Sequence, residues 1–237
     1  MKAMIASCVV ALCAALLVAD QMVAQGAVLE SVRAAKDVAL STDPNLPFWR
    51  EARPVFTDRG RFGEVHEGFR TEVRSRWTPG YLYLLFLCPY KTLHLKPEPD
   101  ITKETNGLWN WDVAEAFIGS DFANIRRYKE FEVSPQGEWV DLDINLENPK
   151  QAGGWQWNSG FQVGARVDAA AKVWYGVMKI PFAALGDKPA AEGREFRTNL
   201  LRCQGEGDGL VLLAWQASMS KTFHVPERFG VLKLVRE

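Results

Sequence analysis

An alternation of period two that begins at residue 69 limits this chain's folding choices more than any other feature. Phe69, Thr71, Val73, Ser75 and Trp77 alternate with Arg70, Glu72, Arg74 and Arg76, the pattern of a half-buried strand with one charged face. Pro79-Gly80 turns the chain into Tyr81-Leu82-Tyr83-Leu84-Leu85-Phe86-Leu87, which is too short for a typical helix and rich in aromatic residues. The pair is a predicted β-hairpin. Val113–Ile118 is apolar on both faces, as a central strand requires, and Tyr128–Val133 is the next predicted strand. Ser134-Pro135-Gln136-Gly137 then turns into Val140–Leu146, whose Asp141 and Asp143 are expected to point outward. Further strands are predicted at Phe161–Val167, Val173–Ile180, Phe196–Leu201, Leu210–Ala217 and Phe229–Val235. Pro181-Phe182-Ala183-Ala184-Leu185-Gly186 gives at most one helical turn, with a glycine stop. About ten strands with little helix predict one all-β, antiparallel β-sandwich of the jelly-roll or immunoglobulin-like kind.

The 237 residues suit a single such domain, expected over 44–237 and as a monomer. Net charge is -1, so nothing favours nucleic acid or an anionic membrane surface as a partner. Residues 1–26 have the make-up of a signal peptide: Lys2, an apolar run from Met4 to Val18, and Ala24-Gln25-Gly26 at the exit. No later stretch is apolar enough to span a bilayer. A secreted or periplasmic protein is expected, with no membrane span after cleavage. Residues 27–43 are read as a linker or short N-terminal helix, from the spacing of Val28, Leu29, Val32, Ala35 and Val38. The mature chain keeps Cys88 and Cys203. An oxidising compartment would let them pair, and their place at the ends of apolar runs equally suits two buried thiols.

Catalytic signatures are missing. There is no Gly-x-Ser-x-Gly elbow, no His-Glu-x-x-His and no glycine-rich phosphate loop. His66, His94 and His224 are scattered. Asp141 and Asp143 share a strand face, which exposed strands commonly show without catalysis. The stretch Asn106-Gly107-Leu108-Trp109-Asn110-Trp111-Asp112-Val113-Ala114-Glu115-Ala116-Phe117-Ile118-Gly119 offers other chemistry. Aromatic faces stack on the C–H surface of a hydroxylated ligand, while a carboxylate and amide take its hydroxyls. Core packing of both tryptophans is the competing reading. Glu115 is read either as a ligand group or as a buried acid paired with an arginine, and Asp112 as a backbone-bonding cap. Trp155 and Trp157 are expected to share one strand face, as a second platform or as sheet packing.

Trp109-x-x-Asp112-x-x-Glu115-x-Phe117-Ile118 resembles the Trp-x-x-Asp-x-Val-Glu-Val-Phe-Ile signature of the family 9 carbohydrate-binding modules. Tyr81-Leu82-Tyr83, Lys179-Ile180-Pro181-Phe182, Asn199, Ala214-Trp215 and Phe229-Gly230-Val231-Leu232 follow the family's order, so the resemblance covers roughly residues 44–237. The ending from Phe223 to Gly230 resembles the stand-alone exported family 9-like proteins. The resemblance implies a non-catalytic β-sandwich that binds an oligosaccharide or polysaccharide between two tryptophans, in the service of polysaccharide catabolism. By motif the clamp is Trp109 and Trp215, with Trp111 as a substitute for Trp109. Core packing of Trp215 remains the alternative. Glu115 accepts from sugar hydroxyls and Asn199 adds an amide. The family's binding arginine falls near Glu132, which reverses the charge, and Arg202 is the candidate replacement. No cofactor is implied beyond structural calcium, for which Asp43, Asp58, Asp112 and Asp121 are the candidate ligands.

Two other classes remain as rivals. Related sandwich domains carry haem between Met and His ligands, for which Met178, Met219, His94 and His224 are available. An auxiliary domain that docks on another exported protein through an aromatic surface is the third reading.

Overall fold

The structure, a computed structural model, describes residues 27–149 and 154–236. The expected signal peptide lies outside them. Thirteen strands carry the fold: β1 (Val28–Arg33), β2 (Val55–Thr57), β3 (Arg59–Gly60), β4 (Thr71–Trp77), β5 (Tyr81–Pro89), β6 (Val113–Gly119), β7 (Arg127–Val133), β8 (Trp139–Asn145), β9 (Gln162–Asp168), β10 (Val173–Pro181), β11 (Glu195–Gln204), β12 (Val211–Ala214) and β13 (Gly230–Val235). The helical content among the described residues is a few short 3-10 turns, one of them Phe182–Leu185, ended by Gly186 at φ 116°. The all-β expectation holds, and the hairpin β4–β5 forms in the expected place with Glu72 opposite Leu87 and Trp77 opposite Leu82.

The strands hydrogen-bond in the order β8-β7-β6-β11-β13-β1-β4-β5-β10-β9, with β12 and β3 branching from β11 and β2 from β4. What the sandwich expectation divides into two antiparallel sheets is thus one continuous, nearly closed sheet. Its seam is β1, which pairs in parallel with both β13 and β4. Here the chain departs from the helix or linker expected over 27–43. Leu29 and Ser31 are fully buried on one face and Val32 on the other, so this strand shows neither an alternating nor a helical stripe. Pairing on both edges satisfies its backbone, and that tertiary gain overrides local spacing.

Strand parity then divides the side chains of one half of the sheet. Ala114, Ala116, Ile118, Phe131, Val133, Phe196 and Leu200 face the main core, where they meet Leu84, Phe86, Trp174 and Met178 from the other half. Val113, Phe117, Tyr128, Leu142, Ile144, Leu201 and Cys203 face the other way, into a second cluster closed by Leu108, Phe223 and Phe229 from the loops. Asp141 departs from its expected outward position. It is buried, and its carboxylate accepts from the Ser159 backbone N–H at 2.8 Å.

Candidate functional site

The second cluster does not close completely. A cavity of about 320 Å³ opens between the sheet and its covering loops. Trp109, Trp155, Phe117, His224 and Phe223 form its walls, Leu142, Ile144 and Leu212 add aliphatic surface, and Glu115 and Glu130 are its acids. Arg61 and Lys221 are the cationic residues of the lining, and the Arg61 guanidinium donates to the Lys221 carbonyl. The volume lies at the lower end of the range of about 300–1,000 Å³ typical of small-molecule sites.

Trp109 reaches the cavity through a 3-10 turn, Leu108–Asn110, that begins at Gly107 with φ 81°. That left-handed conformation favours glycine. The turn drives Leu108 into the second cluster and leaves Trp109 41% exposed. Asp112 fixes the turn to β11, as its expected capping role requires. Its fully buried carboxylate accepts from the backbone N–H of His94 (3.1 Å) and Gly205 (2.6 Å) and from the Gln204 amide (2.7 Å).

Below the walls the register sets Glu115 on β6 directly opposite Glu132 on β7, with Glu130 two residues away on the same face. One oxygen from each of Glu115, Glu130 and Glu132 lies within 4.8 Å of the others, and all three residues are buried. Burial, reinforced by the neighbouring acids, holds the Glu115 carboxyl well above the usual carboxylate range, and burial does the same to Glu130 and Glu132. The Cys203 thiol donates to Glu115 at 3.1 Å, and burial likewise holds its proton on. His224 takes part through Nδ1, 2.6 Å from the Tyr128 hydroxyl, and its ring stacks on Phe117 at 5.1 Å. Desolvation lowers its pKa to about 4, so it is neutral at pH 7.

Of the residues singled out from sequence, the structure brings together Trp109 and Glu115. Trp215 lies on the far side of the sheet, 7% exposed in the main core, so it does not face Trp109. Trp111 is half-buried against His94, ring centres 4.4 Å apart, and is not in the cavity lining. Asn199 is fully buried and spent on backbone, its amide donating to the Gln216 carbonyl and its oxygen accepting from the Gln216 N–H. Arg202 is buried too, donating to Thr71 (3.0 Å) and Gln204, so it does not stand in for an arginine at the site. Trp155 and Trp157 do not share a face: Trp155 packs on the second cluster and Trp157 on the main core. Their segment forms only an isolated bridge at Gln156, so strand parity does not apply.

Cys88 and Cys203 are both free and buried, in the main core and the second cluster respectively. Met178 lies fully buried in the main core, whereas His224 lines the cavity on the opposite face, so this Met–His pair does not converge. The four aspartates named as calcium ligands do not cluster either; among the described residues the acidic group is the glutamate trio. Glu130 and His224 were invisible as partners of Glu115, because only the β6–β7 register and the return of the 223–224 loop bring them together.

Among the described residues an all-β fold thus carries an aromatic, acid-floored cavity on a sheet face. No protein-family model matches this sequence, and no curated protein matches it. Solved structures do. A candidate carbohydrate-binding protein from Bacteroides uniformis superimposes with a TM-score of 0.68 at 15% identity, covering 88% of this chain and 99% of its own. A family 9 carbohydrate-binding module from Caldicellulosiruptor kristjanssonii matches in its glucose complex (TM-score 0.63, 11% identity, 89% and 97% covered) and its cellotriose complex (0.61, 10%, 89% and 95%). The chain therefore has the fold of the family 9 modules, as its motifs imply. No helix among the described residues is long and apolar enough to cross a membrane.

Proposed function

We propose that this protein is an exported, non-catalytic carbohydrate-binding module that takes an oligosaccharide, or one unit of a polysaccharide, into the cavity on the β6–β7–β8–β11–β12 face and so serves polysaccharide breakdown. The observation that carries the reading is the cavity itself. Indole faces from Trp109 and Trp155 line a chamber of sugar-like size above the buried Glu115 and Glu130 carboxyls, in the fold of modules solved with glucose and cellotriose. Stacking on a pyranose face is worth roughly 1 kcal/mol beyond the burial of area. A carboxyl oxygen at the cavity floor accepts from a hydroxyl, so Glu115 can contact a sugar without an arginine beside it. Trp155 takes the part the motif assigns to Trp215. Export follows the leader-like composition of residues 1–26.

The test is a titration of the mature protein with a panel of mono- and oligosaccharides, followed by tryptophan fluorescence. One sugar class should give a saturable change that Trp109→Ala removes without loss of fold. A flat response from folded protein across the panel rejects the proposal.

A further inference from the structure

The glutamate trio is arranged as a cation site. In the β6–β7 pair Glu115 faces Glu132 directly, an arrangement that is repulsive between like charges. Glu132 is fully buried, its side-chain hydrogen bond is to Glu130 within the trio, and no N–H or O–H of the described residues outside the trio donates to either of its oxygens; Glu130 Oε2 is also buried without a donor from outside the trio. Among the described residues no lysine, arginine or histidine forms an ion pair with any of the three. Arg61 and Lys221 line the same cavity and leave the trio unpaired. Buried carboxylates are ordinarily paired or metal-bound.

From this arrangement we infer that Glu115, Glu130 and Glu132 bind one hard divalent cation at the cavity floor. The three oxygens already lie within 4.8 Å of one another, so a central ion reaches all three. An all-carboxylate set suits calcium or manganese and not a thiophilic metal. Water in the cavity, reached through Glu115 and Glu130, completes the larger coordination shell these ions take. Glu132, whose carboxyl has no partner outside the trio, gains a counter-charge.

The decisive experiment is calorimetric titration of chelator-treated protein with Ca²⁺ and with Mn²⁺, beside a Mn²⁺-soaked crystal read by anomalous scattering. One ion per chain should bind, raise the melting temperature, and give an anomalous peak between the three carboxylates. Glu132→Gln, nearly isosteric, should weaken binding by more than about tenfold. Absence of binding by folded protein at millimolar ion, a peak elsewhere, or parental affinity in Glu132→Gln overturns the assignment. Sugar binding is scored separately: a protein that binds sugar but no ion refutes this inference alone, and one that binds an ion but no sugar refutes the proposed function alone.

Discussion

Whether a tryptophan serves a binding site depends on the face by which it leaves the sheet, and here one sheet separates Trp109 from Trp215. Trp109 stands 41% exposed over the cavity, while Trp215 is 7% exposed in the main core. Trp109→Ala should therefore weaken sugar binding by about fivefold to tenfold, the worth of one lost stacking face, and leave the urea midpoint nearly unchanged. Trp215→Ala should instead cost about 3–5 kcal/mol of stability, as large-to-small core changes do, seen as a shifted midpoint. Equal binding losses at unchanged stability would restore the clamp implied by the motif. At this scale the sequence revealed the candidates but not their directions. Trp109 and Glu115 were legible from a turn-to-strand junction with an acid inside an apolar run. The spending of Asn199 and Arg202 on Gln216, Thr71 and Gln204 depends on neighbours far along the chain, which no local pattern encodes.

At the scale of elements, legibility followed the length and clarity of each pattern. β4 and β5 were readable because one edge of the pattern is charged and a Pro-Gly turn sets their register. β1 was not, since apolar Val28 and Val32 stand on the face opposite buried Leu29 and Ser31, which hides any alternation, and β2 and β3 have only 3 and 2 residues, too few to show any period. Yet β1 joins the two halves of the sheet, and it does so beside Gly230 on β13. A Cβ at Gly230 would lie 2.6 Å from the Ala27 carbonyl and 2.6 Å from the Trp215 ring. One of those contacts is backbone, which cannot swing aside. Gly230→Ala is accordingly expected to destabilise by about 1–3 kcal/mol, the usual cost of overpacking. Thermal unfolding that matches the parent would show that the β1–β13 seam is looser than its parallel register implies. The closing Phe229–Val235 strand was legible; the need for a glycine at its head was not, because the residue pressing on it is Trp215.

At the scale of the whole molecule, the charge buried beneath the cavity makes stability depend on pH in two opposed ways. In protein stripped of divalent cations, the carboxyls of Glu115, Glu130 and Glu132 are raised above 4.5 by burial. A raised carboxyl contributes stability that is fully present below its unfolded pKa and is lost as pH climbs towards the folded one. His224 works from the other side. Its pKa falls from 6.5 to about 4, so its contribution is present above 6.5 and is lost as pH drops towards 4, by up to about 3 kcal/mol. Above pH 6.5 the imidazole is neutral in both states and the carboxyls act alone. Urea midpoints should therefore fall between about pH 6.5 and pH 8. Glu132→Gln should flatten this limb, because it removes one acid and relieves its two neighbours. His224→Asn should flatten the acid limb while keeping a polar side-chain partner for the Tyr128 hydroxyl. A parent midpoint that stays level from pH 6.5 to 8 would mean that the trio is already neutralised by a group other than a proton. Titration on either side of added Ca²⁺ separates the two cases: an ion seated among the carboxylates abolishes the alkaline limb, whereas protons alone leave it in place.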